Sequence, residues 1–159
     1  MPIQPGDRIP EVTLKHIDDG VQTLDTATLF DGKKMVLFAV PGAFTPTCSE
    51  KHLPGFVQHF DDFRARGVEV ACMAVNDPFV MQAWGQDQHV PEGLLMLSDG
   101  NGDFARALGL EMDASGYGMG TRAKRFALYA EDGVVKQLHV EAPGEFRVSS
   151  AEHVLSELP

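Results

Sequence analysis

Cys48, with Thr45 three residues before it, is the point in this 159-residue chain where residue type and spacing allow chemistry. The preceding run Met35-Val36-Leu37-Phe38-Ala39-Val40 is apolar throughout and is closed by Pro41-Gly42, the pattern of a strand buried on both faces. Beyond the cysteine, Phe56, Val57, Phe60 and Phe63 recur at helical spacing, so an amphipathic helix follows. Cys48 therefore falls in the first turn of a helix that leaves a buried strand. A thiol there faces backbone N–H groups without intrahelical acceptors and the positive end of the helix dipole. Both favour thiolate, the nucleophilic form. An unperturbed cysteine, with a pKa of about 8.5, is only a few per cent ionised at pH 7. A helix N-terminus with a cation beside it brings such thiols to roughly 4–7.

The neighbours suit that chemistry. One helical turn separates Thr45 from Cys48, so the threonine hydroxyl can reach the sulfur or whatever the sulfur attacks. Pro46 fits a first turn, where a missing N–H costs nothing, and Pro41 and Pro46 together stiffen the loop and keep water out. Arg122, Lys124 and Arg125 form the tight basic cluster of an acidic chain. Cys72 sits in an apolar strand between Val70 and Ala74 and reads as a core thiol, some way along its strand from Cys48. His52 follows Cys48 by four residues and reads as a residue that orients the helix or loop, since no further metal ligands cluster near it. Phe44 and Phe79 are apolar residues in loops that ought to be polar.

The elements that must position these groups follow from punctuation and periodicity. A weak alternation over Glu11–His16 and a second segment ending near Leu24 read as strands around Asp18-Asp19-Gly20, with a helical turn over Thr26–Phe30. The helix that starts at Cys48 runs until Arg66-Gly67 closes it. Val68–Val75 is a strand, Asn76 or Asp77 caps a helix with Pro78 at its first position, and Leu94–Leu97 is a strand. Asp103–Leu108 is a helix ended by Gly109. Phe126–Tyr129 and Val134–Val140 form a hairpin around Asp132-Gly133, and Ser149-Ser150-Ala151-Glu152 is a capping box for the last helix. Alternating strands and helices call for parallel pairing, with the hairpin adding antiparallel strands. The expected fold is α/β, a mixed central sheet with helices on both faces.

Bulk properties narrow the function classes. The length suits one domain over residues 1–159 with a proper core. A net charge of −10, from 23 acids against 13 bases, argues against nucleic-acid binding. The start of the chain lacks the basic and apolar segments of a signal peptide, and no window nears the roughly 20 apolar residues that span a bilayer. Two cysteines do not make a disulfide scaffold, so a reducing cytoplasm is the expected location.

Pro41-Gly42-Ala43-Phe44-Thr45-Pro46-Thr47-Cys48-Ser49 resembles the peroxidatic signature of the peroxiredoxins, P-x-x-x-T-x-x-C, and in wording the type II (atypical) group, its plant and bacterial glutaredoxin-dependent branch. His52-Leu53-Pro54-Gly55-Phe56, Val75-Asn76-Asp77-Pro78-Phe79-Val80, Gly120-Thr121-Arg122-Ala123-Lys124-Arg125-Phe126 and Asp132-Gly133 agree, so the likeness runs from about Pro5 to Leu158. It implies a thioredoxin-like fold with the extra N-terminal strands of peroxiredoxins. Thioredoxin itself uses C-x-x-C at this place. Here Thr45 holds the first cysteine's position, which tilts the reading from disulfide exchange to peroxidase. The resemblance assigns Arg125 as the active-site arginine, Thr45 as hydrogen-bond partner of the peroxide and Pro41 as the shield of the sulfur. Plant and some bacterial type II members carry a cysteine at the position of Cys72, proposed to resolve the oxidised site. Animal members place theirs in the C-terminal loop, where this chain has Val148.

The expected function is an antioxidant thiol peroxidase. Cys48 reduces hydrogen peroxide and organic hydroperoxides, becomes a sulfenic acid, and is recycled by glutaredoxin with glutathione or by thioredoxin. No metal or organic cofactor is implied. A homodimer is expected, with Phe44 and Phe79 as interface anchors. The alternative is a peroxide sensor or redox relay, in which Cys48 passes its oxidation to a partner protein.

Overall fold

A computed structural model describes residues 2–159. Its centre is a seven-stranded sheet in the order β2-β1-β5-β4-β3-β8-β9. The strands are β1 (Thr13–Ile17), β2 (Val21–Asp25), β3 (Lys34–Ala39), β4 (Val68–Ala74), β5 (Leu95–Ser98), β8 (Phe126–Glu131) and β9 (Val134–Val140). β3, β4 and β5 run parallel. β8 joins β3 antiparallel and carries the β9 hairpin, while β1 and β2 add an antiparallel pair at the β5 edge. This is the expected mixed sheet, with the N-terminal strands in place.

Period-two side-chain direction sorts the core into two layers. Met35, Leu37 and Ala39 of β3 face one layer with Phe126 and Leu128, covered by α1 (Thr26–Phe30) and α5 (Asp103–Leu108). Val36, Phe38 and Val40 face the other. That second layer is closed by α2 (Leu53–Gln58), α3 (Phe60–Ala65), α4 (Pro78–Asp87) and α6 (Ala151–Glu157), and it holds both Cys48 and Cys72. Because β3 is buried on both faces, its loop end is fixed from two sides. The chain that leaves it toward Cys48 starts from a rigid base.

The helix after Cys48 departs from the expectation of a single run. It is already helical at Pro46 and Thr47, widens to a π-helical turn over Cys48–His52, passes into α2, breaks at His59 and resumes as α3. Pro54 explains the wide turn: it has no N–H to give the Glu50 carbonyl, and its ring crowds that carbonyl. The Leu53 N–H bonds Cys48 O instead. Of the two expected candidates for the cap of α4 it is Asp77 that accepts from the Val80 N–H. The cap of the last helix shifts. Ser150, not Ser149, caps α6 by accepting from the His153 N–H, because Ser149 is buried elsewhere. A short antiparallel pair, β6 (Glu111–Asp113) with β7 (Thr121–Ala123), was not foreseen: three-residue strands are too short to show a period.

Candidate active site

Cys48 lies where β3 hands over to the π-helical turn, and its side chain has no exposed surface. The loop that brings it there is closely made. Thr45 Oγ1 donates to Gly42 O at 2.6 Å, and the Ser49 N–H bonds Thr45 O at 2.9 Å, so the first turn starts at Thr45. A Cβ on Gly42 would meet Met119 Cε at 2.9 Å and Thr45 Cγ2 at 3.1 Å, so the methionine tip and the threonine pack closely on the glycine. Phe44 takes a left-handed backbone with φ 64°, a conformation costly for a bulky residue and typical of loops held in shape for function. Pro41 is half-buried at the start of this loop.

Arg125, just before β8, reaches across to the sulfur: Nη2 donates to Cys48 Sγ at 3.1 Å. This contact sets a fixed positive charge and a hydrogen-bond donor directly on the sulfur. Arg122, three residues earlier in the same basic cluster, has a different task. Its Nη1 donates to Val75 O at 3.0 Å and its Nε to Met119 O at 2.8 Å, tying two loops together.

His52 is the group whose role the sequence understated. Its ring is fully buried, packed against Phe38, Phe56 and Phe146. Arg125 Nη1 donates to His52 Nδ1 at 2.9 Å, so Nδ1 is the acceptor; Nε2 then carries the proton and donates to Ser149 O, also at 2.9 Å. Burial, reinforced by the Arg125 charge and opposed by the Ser149 bond, pushes its pKa down to about 3. Both ring nitrogens are engaged, which leaves neither for a metal. Among the described residues no group of three or more His, Cys, Asp or Glu is placed to hold one.

Glu141, just past β9, holds the next layer. Its carboxylate accepts from the N–H groups of Arg147, Val148 and Ser149 and from Ser149 Oγ at 2.7–2.9 Å. Burial alone would raise its carboxyl, but the Ser149 hydroxyl and these N–H groups outweigh it and hold the pKa below the usual value. No local pattern in the sequence tied Glu141 or Ser149 to the site, since their link to it runs through the turn between β9 and α6. Val148 itself is half-buried in that turn.

Cys72 is fully buried in β4, opposite Phe38 of β3. Burial, with the Cys48 sulfur acting in the same direction and Arg125 against it, pushes its thiol well above the usual range. One expectation needs correcting. In parallel strands it is the C-terminal end of β4 that abuts the site, and Cys72 is two residues from it, in the same layer as Cys48. Both cysteines are free thiols. Phe44 and Phe79 are 53% and 64% exposed. The Ala43 N–H donates to Asn76 Oδ1 at 2.9 Å, which ties the two phenylalanine loops together.

A buried cysteine held against a fixed guanidinium, on a mixed sheet of thioredoxin-like topology, is the frame of a thiol-based oxidoreductase. The chain belongs to the redoxin family, whose profile, described as Redoxin, matches residues 4–155. Peroxiredoxin-2B of Arabidopsis thaliana is 46% identical over 160 residues, 99% of each chain. Peroxiredoxin-2E, chloroplastic, of the same plant is 48% identical over 162 residues, covering 98% of this chain and 69% of that one. Reduced Prx3 of Vibrio vulnificus in complex with H2O2 superposes with a TM-score of 0.94 at 49% identity, covering 97% of this chain and 98% of that one. The chain stands among the type II peroxiredoxins and is a thiol-dependent peroxidase of thioredoxin-like peroxiredoxin fold. No helix among the described residues is long and apolar enough to cross a membrane.

Proposed function

We propose that Cys48 is the peroxidatic thiol of a single peroxidase domain spanning residues 1–159, acting on hydrogen peroxide and small organic hydroperoxides. The observation that carries this reading is the 3.1 Å bond from Arg125 Nη2 to Cys48 Sγ. The thiolate attacks the terminal peroxide oxygen, an S–O bond forms and the O–O bond breaks. The departing oxygen takes a proton and leaves as water or an alcohol, and Cys48 becomes a sulfenic acid. The lone pairs of Thr45 Oγ1, whose proton is given to Gly42 O, accept a hydrogen bond from the peroxide. Arg125 offsets the charge that builds on the departing oxygen, and Pro41 shields the sulfur.

Recycling needs an external thiol. Its thiolate attacks the sulfenic sulfur and releases water, and a second thiol then reduces the mixed disulfide. Glutaredoxin with glutathione is the proposed donor, with thioredoxin the other candidate; Cys72, buried and with its thiol pushed up, is assigned a structural role. The protein is proposed to work in the cytoplasm as a homodimer, built on the exposed Phe44 and Phe79 loops. We expect Cys48→Ser to abolish peroxide consumption, since a hydroxyl supplies almost no oxyanion near pH 7. Cys72→Ser should keep most glutathione-linked turnover. Residual activity of Cys48→Ser above about 1% of wild type sinks the assignment. Oxidation of Cys48 without turnover by any thiol donor would move the reading to a redox relay. A Cys48–Cys72 disulfide with turnover lost in Cys72→Ser would make Cys72 the resolving thiol.

A further inference from the structure

We propose that His52 and Glu141 are positioning residues for Arg125, joined in a closed circuit that holds the guanidinium on the sulfur without cancelling its charge; this rests on the function proposed above. The circuit can be followed atom by atom. The Glu141 N–H donates to Arg125 O at 3.0 Å, so the backbones of the two residues lie side by side. The Glu141 carboxylate then folds the turn over 147–149 back onto itself with four donors, three backbone N–H groups and the Ser149 hydroxyl. That turn presents Ser149 O to His52 Nε2, and His52 Nδ1 accepts from Arg125 Nη1, which leaves Nη2 on Cys48 Sγ.

The choice of groups has an electrostatic logic. An arginine that must stabilise a thiolate needs an orienting acceptor on its other N–H groups. A carboxylate placed there would orient it but would also neutralise much of its field at the sulfur. A neutral imidazole orients through a lone pair and brings no charge. It can do so only if Nδ1 is unprotonated, and the Ser149 carbonyl enforces that tautomer by taking the proton on Nε2. The negative charge sits one step further out, on Glu141, where the turn's own N–H groups absorb it. No buried side-chain polar atom among the described residues lacks a hydrogen-bond partner, and a buried polar network satisfied in this way is held rigidly. Phe146 closes the layer, edge-on to the His52 ring and 5.9 Å from Arg125 Cζ.

The test measures two quantities on the full chain: the rate constant for peroxide consumption, and the pH at which Cys48 reaches half its maximal rate of alkylation by iodoacetamide. Glu141→Gln keeps the shape but replaces one acceptor oxygen by an NH2. His52→Leu removes the acceptor for Arg125. His52→Asn also loses the Ser149 bond but retains an oxygen near the place of Nδ1. We expect Glu141→Gln and His52→Leu each to slow peroxide consumption roughly tenfold and to raise the alkylation midpoint by about one pH unit, the same tenfold expressed as proton affinity. His52→Asn should recover at least half of both effects. Ser150→Ala, which removes only the cap of α6, should lower the melting temperature and leave the midpoint where it is.

Midpoints that stay at the wild-type value while melting temperatures fall would give His52 and Glu141 a purely structural role and overturn the proposal. Equal behaviour of His52→Leu and His52→Asn would overturn it as well. Should Glu141→Gln not fold, the His52 pair decides alone. If the wild type consumed no peroxide, the peroxidase reading would fall, while the alkylation midpoints would still test the circuit.

Discussion

Two arginines three residues apart in one basic cluster do unlike work. Arg125 Nη2 lies on Cys48 Sγ, while Arg122 spends its donors on the carbonyls of Val75 and Met119. A single N–H aimed at the atom where charge resides is worth a large share of catalysis when no water competes for it. Arg125→Ala should therefore slow peroxide consumption by about two orders of magnitude or more, whereas Arg122→Ala should act chiefly on the loops and cost far less. Stopped-flow peroxide reduction by the two variants, side by side, checks this. Equal losses would mean that the charge of the cluster, not the geometry of one guanidinium, matters.

At the level of the elements, the π-helical turn and the turn between β9 and α6 meet through one buried imidazole. That contact makes stability depend on acid. His52 has a usual value of 6.5 and is pushed down to about 3 in the fold, first by burial and then by the Arg125 charge. Between those values the unfolded chain binds a proton that the native protein refuses. Stability is thus lost as pH falls from 6.5 toward 3, at up to about 1.4 kcal/mol per pH unit. Glu141 acts in the same sense: its pKa is held below the usual 4.5, so its contribution is present above that value and fades under it. His59 acts in the opposite sense. Its bond to Asp62 raises its pKa, so what it adds is present below 6.5 and fades as pH rises. Urea unfolding at pH 6.5 and pH 5 should show wild type losing about 1.5–2 kcal/mol more than His52→Leu over that interval. Parallel losses would show that His52 does not carry the acid limb.

At the scale of the molecule, one flank gathers three apolar loops. The Phe44 loop and the Phe79 loop are joined by the Ala43–Asn76 bond, and Arg122 adds the segment at Met119. Phe44, Phe79 and Tyr117 are the most exposed large apolar side chains among the described residues. A rigid, apolar flank beside a buried site suits a self-complementary contact with a second copy. Sedimentation at about 50 µM, well above the dissociation constants of ordinary stable dimers, should give the mass of two chains, and Phe79→Glu should give one. A wild-type monomer at that concentration would rule the contact out.

Local pattern was enough for much of this protein. The doubly buried β3, the cysteine at its exit, the caps of α4 and α5 and the β8–β9 hairpin are written in short windows, because periodicity and turn chemistry act over a few residues. Cys48 and Thr45 were legible for the same reason, three residues apart on one turn. Arg125 was not: the basic cluster showed that a cation was there, and only the resemblance to a family chose among its members. What the fold alone decided lies at long range. Ser149 stands 97 residues from His52, and His52 stands 73 from Arg125. No window joins them, and a buried histidine looks the same in sequence whether it fills space or orients a charge. The shift of the α6 cap to Ser150 and the place of Cys72 beside the site share that cause. Each depends on which strand ends and turns the sheet brings together, and so is fixed by packing rather than by the residues on either side.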